Sequence, residues 1–555
     1  MKLEAFLRRW SQGWRGPVLA ALIALAAGLP GLLAVPPLDR DESRFAQATA
    51  QMLEDGDFVV IRFQDAPRFK KPVGIHWLQA ASVRAFSDPE AREIWAYRLP
   101  SLLGAMLAAA ACAWGAAAFF GGGTSLAAGA ILGATLLLST EAFIAKTDAV
   151  LCGTTTLAMA ALGRMYAARD GSGAKRRVKL LFWLGFSVAT LVKGPVGPMV
   201  IVLAALTLAV WDRRAGWLKH IGWGWGLILL AAICGPWAGA VTVATDGGFW
   251  TTALVSDLAP KLAGGQETHG APPGYHTVLA LLLFFPATLL LPAAAVTAWR
   301  ERREPGVRFA LAWLVPAWLV FELTPTKLVH YPLPTYGALA WLAAAALREL
   351  PGPIQRWTGA TLSAFAGLAL AAGVFYLMSR YGDPGDVSAA AVAGGLLAMA
   401  GLAGAFLLVR RAQREALAAA LGLGIAGHAA LAALLLPRLE PLWLSHRTEQ
   451  AMAAARLLPR QGMASAPVAV AGYAEPSLVF ALGTPTQLDG ADEAAIAIAD
   501  GRPAVVEGRE EAAFQRALQA VGAQAQQVGE VKGLDYSNGD KDILRIYRLK
   551  EPPEK

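Results

Sequence analysis

The sequence predicts a polytopic α-helical membrane protein with a small α/β domain at its C-terminal end, and three observations predict it. Of 555 residues, 55% are hydrophobic and 16% charged, with a mean hydropathy of +0.44, too apolar for a soluble chain of this size. The apolar residues fall in runs near the ~20 residues that a spanning helix needs, repeated as far as residue 436. From Pro437 the chain turns polar, and short β-like runs alternate with helical ones.

In chain order the apolar runs cover residues 16–37, 98–119, 124–142, 147–167, 179–193, 196–211, 221–245, 277–298, 307–323, 332–347, 358–378, 389–409 and 415–436. That makes about thirteen transmembrane helices. The first run follows a basic N-terminal segment like a signal peptide, but it has spanning length and no small-residue exit, so it is expected to remain as a helix. Lys193-Gly194-Pro195 marks either a hairpin between two helices or a kink in one. A cytoplasmic N-terminus places the Arg/Lys-rich loops 169–179, 211–219, 300–308 and 410–415 on the cytoplasmic side as well. This agreement requires the hairpin. The opposite, periplasmic side receives loops 38–97 and 246–276, the segment 322–331, and everything after Pro437.

The net charge of +8 is spread in these short clusters, which is positive-inside bias and not a nucleic-acid surface. Cys112, Cys152 and Cys234 lie inside apolar runs without metal-ligand spacing, and are read as packing residues. The transmembrane region is assigned to 1–436 and the outer domain to 437–555. In the latter, Val468–Val470 and Pro503–Glu507 read as strands, and Glu475–Leu482 and Glu510–Val521 as helices. Gln527–Lys532 and Ile543–Leu549 read as a hairpin across Ser537-Asn538-Gly539-Asp540.

Candidate chemistry gathers on the outer face. The polar stretch Leu38–Trp77 opens with Asp39, Asp41 and Glu42 and closes with Arg68, Lys70 and Lys71. Carboxylates beside cations at a membrane surface suit a lipid-linked phosphate next to an acid or base group. The plain alternatives are a helix start for Asp41-Glu42 and ordinary snorkelling for the cations. Asp148 follows Lys146 where a helix enters the membrane, and the two are either a functional pair or a structural one. Lys193 is a snorkelling residue or a phosphate contact. Gly264–Gly270 carries Glu267 and His269, and Thr326–Tyr331 carries Lys327, His330 and Tyr331 close to the bilayer.

Together these segments are more specific. Asp41-Glu42-Ser43-Arg44-Phe45, Arg68-Phe69-Lys70-Lys71-Pro72, Lys146-Thr147-Asp148, Lys193-Gly194-Pro195 and Lys327-Leu328-Val329-His330-Tyr331 occur in this order. With Gly472–Ser477 and Tyr536–Gly539 in the outer domain, the pattern resembles the bacterial ArnT-like glycosyltransferases, relatives of the protein O-mannosyltransferases. The resemblance implies a GT-C fold in the bacterial inner membrane and transfer of a sugar, with inversion, from a polyprenyl (undecaprenyl) phosphate to a periplasmic acceptor. For ArnT the sugar is aminoarabinose and the acceptor a lipid A phosphate; another envelope glycan or a protein hydroxyl is the alternative acceptor.

By motif position, Asp41 and Asp148 resemble the family's acidic catalytic residues. Arg44 and Lys71 resemble contacts to the carrier phosphate, and His269 a histidine near donor or metal. Glu42, Arg68, Lys70, Lys193, Lys327, His330 and Tyr331 complete the substrate-binding set expected here. Lys70 stands where the family carries a carboxylate used at a metal site, which argues against a divalent metal; no other cofactor is implied. Phe45 replaces a common tyrosine and Arg68 an aromatic, so the donor sugar need not be aminoarabinose. A lipid-linked sugar flippase is the rival reading, but such transporters place ionisable groups at the midplane and often duplicate their halves. The sequence shows neither feature.

Overall fold

A computed structural model describes residues 13–171, 173–259 and 270–550. Its helices begin with α1 (Arg15–Ala34), α2 (Asp41–Asp55), α3 (Gly74–Phe86), α4 (Ile94–Ala116), α5 (Gly122–Ala134), α6 (Leu136–Glu141), α7 (Asp148–Ala167), α8 (Arg176–Lys193), α9 (Val196–Trp211) and α10 (Trp223–Ala244). They continue with α11 (Tyr275–Leu283), α12 (Leu291–Arg300), α13 (Pro305–Leu323), α14 (Tyr336–Ala345), α15 (Pro353–Tyr381), α16 (Val387–Val409) and α17 (Gln413–Ala430). Among the described residues, seven helices are long and apolar enough to cross a membrane, or eight if a pair bent by 117° near Phe284 counts as one span. The chain is a multi-pass membrane protein. The lower count than the thirteen expected has a physical cause. Helices α5 and α9 are short, with 13 and 16 residues, while α7 carries three threonines and is buried along nearly all its length.

Close packing in this bundle depends on small residues, as it must where lipid is as apolar as the helix surfaces. Gly153 on α7 faces Gly104 on α4 so closely that a methyl on Gly153 would sit 2.3 Å from the Gly104 carbonyl oxygen. Gly74, at the start of α3, meets the end of α8, where a methyl would lie 2.6 Å from the Leu191 carbonyl oxygen. The first contact fixes the helix that begins at Asp148. The second brings the turn carrying Lys71 against the helix ending in Lys193. The chain breaks at Gly194, with φ of +60°, and a methyl on Gly197 would meet Ala189 at 2.7 Å. The two segments therefore fold back on each other as the hairpin reading requires.

Between α2 and α3 a two-residue ribbon pairs β1 (Arg62–Phe63) with β2 (Ala66–Pro67). The C-terminal domain adds α18 (Leu444–Ala454), α19 (Pro476–Leu482), α20 (Ala491–Ala499) and α21 (Glu511–Ala520) around a five-stranded mixed sheet. Its strands β3 (Ala469–Ala471), β4 (Gln487–Asp489), β5 (Ala504–Glu507), β6 (Ala525–Asp535) and β7 (Asp540–Leu549) lie in the order β4-β3-β5-β7-β6. β3 is parallel to both β4 and β5, whereas β7 runs antiparallel to β5 and β6. The β6–β7 hairpin closes with Asp535 opposite Asp540, over the turn expected from Asn-Gly. Expectation missed β4 and α20, because three residues of strand and an Ala-rich helix carry little periodic signal.

Candidate active site

The loop after α1 is built by anchoring Leu38, Asp39, Glu42 and Ser43 while leaving the Asp41 side chain open. Arg98 on α4 is fully buried and pairs with the equally buried Glu42, its Nε donating to Oε1 at 2.8 Å and its Nη2 to Oε2 at 2.7 Å. The same guanidinium donates to the Pro36 carbonyl at 2.9 Å and to that of Val35. Glu42 in turn accepts the Leu38 N–H at 2.8 Å and the Ala145 N–H at 2.7 Å. One buried ion pair thus ties the end of α1, the start of α2 and the loop before Asp148. Glu42, expected at the substrate, is committed to this clamp.

Asp41 opens helix α2 at the edge of the clamp and remains solvent-accessible. Partial burial alone would raise its carboxyl, but Lys71, Lys146, Arg68 and Arg44 together hold it below the usual carboxylate range. Arg68 and Lys71 reach this place over one ring: both lie above Phe45, at 4.8 and 5.1 Å from its centroid. Phe45 stacks on His76, whose Nδ1 is 2.8 Å from the Thr49 hydroxyl, and Thr49 donates to Gln79 at 2.7 Å. The Phe45 position thus gives the two cations a rigid platform.

Asp148 forms the second half. Lys193 donates to its Oδ1, Lys146 Nζ stands 3.9 Å from Oδ2, and His330 Nε2 lies 3.6 Å from the same oxygen. Lys146 also pairs with Glu141 at 3.0 Å and faces His330 Nδ1 at 3.3 Å. An ammonium can only donate there, so the ring proton of His330 sits on Nε2, facing Asp148. Burial keeps that imidazole far below its ordinary pKa and hence neutral. Burial would also discharge Lys146, but Glu141 and Asp148 hold it protonated. Lys193 lies over the Tyr331 ring, 5.6 Å from its centroid. Burial and the neighbouring Lys193 push the Lys71 ammonium down to about 7. Such a crowd of cations favours an anion: a phosphate here would return Lys71 to full charge.

Asp41, Arg44, Arg68, Lys71, Asp148, Lys193, His330 and Tyr331 are therefore brought into one neighbourhood. Lys70 is exposed. Lys327 is buried and spends its ammonium on the Thr324 carbonyl at 2.6 Å. His269 and Glu267 lie outside the described residues. Sequence reasoning missed Glu141 as a member of the cluster, although a glutamate at the outer end of an apolar run, five residues before Lys146, was a signal. Among the described residues no three of His, Cys, Asp and Glu form a metal-binding group. Glu141, Asp148 and His330 are interleaved by the Lys146 ammonium, so these three do not fit a cation.

Residues 70–238 match the family model for dolichyl-phosphate-mannose-protein mannosyltransferase. The chain is 31% identical over 350 residues to the undecaprenyl phosphate-alpha-4-amino-4-deoxy-L-arabinose arabinosyl transferase of Pseudomonas paraeruginosa, an alignment covering 61% of each protein. It is 28% identical over 360 residues to that of Pectobacterium atrosepticum, covering 62% of this chain and 63% of the relative. The matched region thus spans less than two thirds of the length of these relatives. In three dimensions the chain superposes on ArnT from Cupriavidus metallidurans, with TM-scores of 0.74 for the apo crystal structure and 0.73 for that bound to undecaprenyl phosphate. Both superpositions cover 95% of this chain and 97% of the other at 20% identity, a likeness of fold. The chain is thus similar to the aminoarabinose transferases in sequence over 61% of its length and to ArnT in fold over 95%, and its residues 70–238 match the mannosyltransferase model.

Proposed function

We propose that this protein is an inverting glycosyltransferase of the GT-C fold. It takes a sugar from undecaprenyl phosphate, aminoarabinose as in its named relatives, and transfers it to lipid A at the periplasmic face of the inner membrane. The observation that carries the reading is an accessible, ionised carboxylate, Asp41, held beside Arg68, Lys71 and Lys146, which adjoin Lys193 and Asp148.

The donor phosphate is assigned to Lys71, Arg68 and Lys193, which stabilise it as charge builds during departure. The acceptor oxygen attacks the anomeric carbon from the opposite face, a C–O bond forms, and the bond to the carrier phosphate breaks. A general base works best with a pKa near the operating pH, and Asp41 is held well below that. This favours an acceptor already ionised, such as a lipid A phosphate, over a hydroxyl. An Asp41 that stays charged also stabilises the positive charge that develops on the sugar ring.

The same reading assigns residues 1–436 to a transmembrane catalytic domain of about thirteen spans, with periplasmic loops 38–97 and 246–276, and residues 437–555 to a periplasmic domain. Two observations support this orientation. The outer-loop residues Asp41, Lys71, Lys146, Lys193 and His330 converge on one site. The basic loops assigned to the cytoplasm also meet one another, where Arg308 pairs with Asp212 and Arg214 with Asp170.

Mass spectrometry of lipid A tests the proposal, comparing cells with and without the gene and cells carrying only Asp41→Asn. An aminoarabinose-sized increment that disappears in both is the expected result. Unchanged lipid A in the deletion would overturn this acceptor and turn the search to glycoproteins, as the mannosyltransferase match allows.

A further inference from the structure

Between the clamp at Glu42 and the C-terminal domain lies a strained elbow that the transfer chemistry leaves unexplained. Arg40 has φ of 58° and ψ of −106°, the conformation of the first central residue in a type II′ turn, which glycine adopts and L side chains rarely do. Its own side chain is exposed and lies near Glu475, so no buried contact of the guanidinium holds the backbone there. The neighbours on either side do. On the C-terminal side, Glu42 is locked by Arg98, and the Arg40 carbonyl accepts the Arg44 N–H at 2.9 Å to start α2.

On the N-terminal side, Asp39 is buried against the C-terminal domain. Its carboxylate accepts the Ser477 hydroxyl of α19, and its N–H donates to the Tyr536 hydroxyl at 2.6 Å, from the turn between β6 and β7. Ser477 is fixed by Ser445 at 2.6 Å, and Ser445 by the Tyr473 hydroxyl at 3.0 Å. Further along the seam Thr484 meets Gln47 at 2.7 Å, and Arg92 donates to the Phe480 carbonyl at 2.9 Å. The contact is therefore a built interface.

We infer that the C-terminal domain completes the active site: by pinning Asp39 through Ser477 and Tyr536 it holds Arg40 in its left-handed conformation, making Asp39 a positioning residue that aims Asp41 at the cation cluster. The inference rests on the transferase reading for its kinetic consequence, but the elbow itself is observable without substrate. Released from the pin, Arg40 relaxes to a negative φ, the first turn of α2 re-aims, and Asp41 leaves its place while the donor phosphate contacts remain. Misplacement of a positioned group by about 1 Å lowers a rate on the order of 100-fold.

The test uses the full-length protein in detergent or nanodiscs, with Ser477→Ala, Tyr536→Phe, Ser477→Thr and the double variant Arg40→Gly/Ser477→Ala. Two quantities are read: amide hydrogen exchange across residues 38–45, and kcat and KM for the lipid-linked donor. Ser477→Ala and Tyr536→Phe are expected to speed exchange there and lower kcat by about 10- to 100-fold at unchanged donor KM. Ser477→Thr keeps the hydroxyl and retains activity. The double variant recovers kcat in part, because glycine adopts φ of 58° at no steric cost and no longer needs the pin to reach it, which a merely structural role for Ser477 would not produce. Unchanged exchange in both Ser477→Ala and Tyr536→Phe, or a double variant as impaired as Ser477→Ala, overturns the inference. Wild-type protein that transfers no aminoarabinose counts against the transferase reading alone, since exchange still reports on the elbow; thermal unfolding identifies a variant that has failed to fold, and the other single variant then decides.

Discussion

Asp39 and Asp41 stand in the same elbow of chain and meet opposite surroundings. Asp41 is ringed by Lys71, Lys146, Arg68 and Arg44 and is held ionised. Asp39 is buried among hydroxyls, and burial, offset in part by the Ser477 hydrogen bond and reinforced by Glu475 and Asp535, pushes its carboxyl up to about 7. Identical side chains thus acquire different states from what faces them: one remains charged beside the cations, the other becomes a neutral-leaning anchor between domains. Backbone geometry at Arg40 separates them, and the Arg98–Glu42 pair makes that separation stable.

The strongest way to break the contrast is through this pair. Removing one partner of a buried ion pair leaves the other charge uncompensated and costs about 3–5 kcal/mol. Arg98→Met is therefore expected to destabilise the protein by that order, read as a drop in thermal midpoint. Adding Glu42→Gln to it should recover part of the loss, and an additive double variant would show that the two side chains do not act together. Next comes the ionised member itself: Asp41→Asn should lower kcat by about 10²–10³-fold, with donor KM and the unfolding midpoint close to wild type. A raised KM with normal kcat would instead move Asp41 from the reacting centre to ground-state binding.

Much of this site was legible in the sequence because ionisable residues near a bilayer are costly and seldom accidental. Asp41, Lys71, Asp148 and Lys193 could be picked out on that ground. Their partners could not. Arg98 sits inside an apolar run, where nothing local tells that it reaches Glu42, 56 positions earlier. Lys327 looked equivalent to Lys193, and only the turn of the loop directs its ammonium to the Thr324 carbonyl. The hairpin at Gly194 was readable because the charges of the flanking loops require it, and the β6–β7 turn because Asn-Gly carries local geometry. Interior helices such as α7 are harder to recognise as spans by length and hydropathy alone, since they replace apolar residues with threonine and glycine that pack against protein.

A milder effect sharpens the cationic side of the comparison. The Lys71 ammonium, lowered to about 7 by burial and Lys193, loses its proton as pH rises through neutrality unless phosphate is bound. Donor KM is therefore expected to rise several-fold, on the order of one pKa unit of binding free energy, between about pH 6.5 and 8.5. Arg does not titrate in this range, so Lys71→Arg should flatten the profile. A KM as steep in the variant as in the wild type would place the titrating group elsewhere.

The smallest effect belongs to Asp39. A carboxyl raised from 3.8 to about 7 on folding contributes stability that is complete below its unfolded pKa and declines until pH passes the folded value. Burial sets the sign, with Glu475 and Asp535 adding to it and the hydrogen bonds of Ser477 and Tyr536 opposing it. Glu475 is itself raised by burial and Asp535, with Arg40 and Arg44 opposing. Docking of the C-terminal domain should therefore weaken from about pH 4 to pH 7 and level off above that, by on the order of 1–2 kcal/mol after relaxation of the seam. Asp39→Asn cannot ionise, so its midpoint should fall less over the same range, while hydrogen bonding to Ser477 survives through the amide oxygen. Parallel pH curves for the two proteins would mean that the seam senses Glu475 alone, and that the contrast between Asp39 and Asp41 is one of position and not of charge.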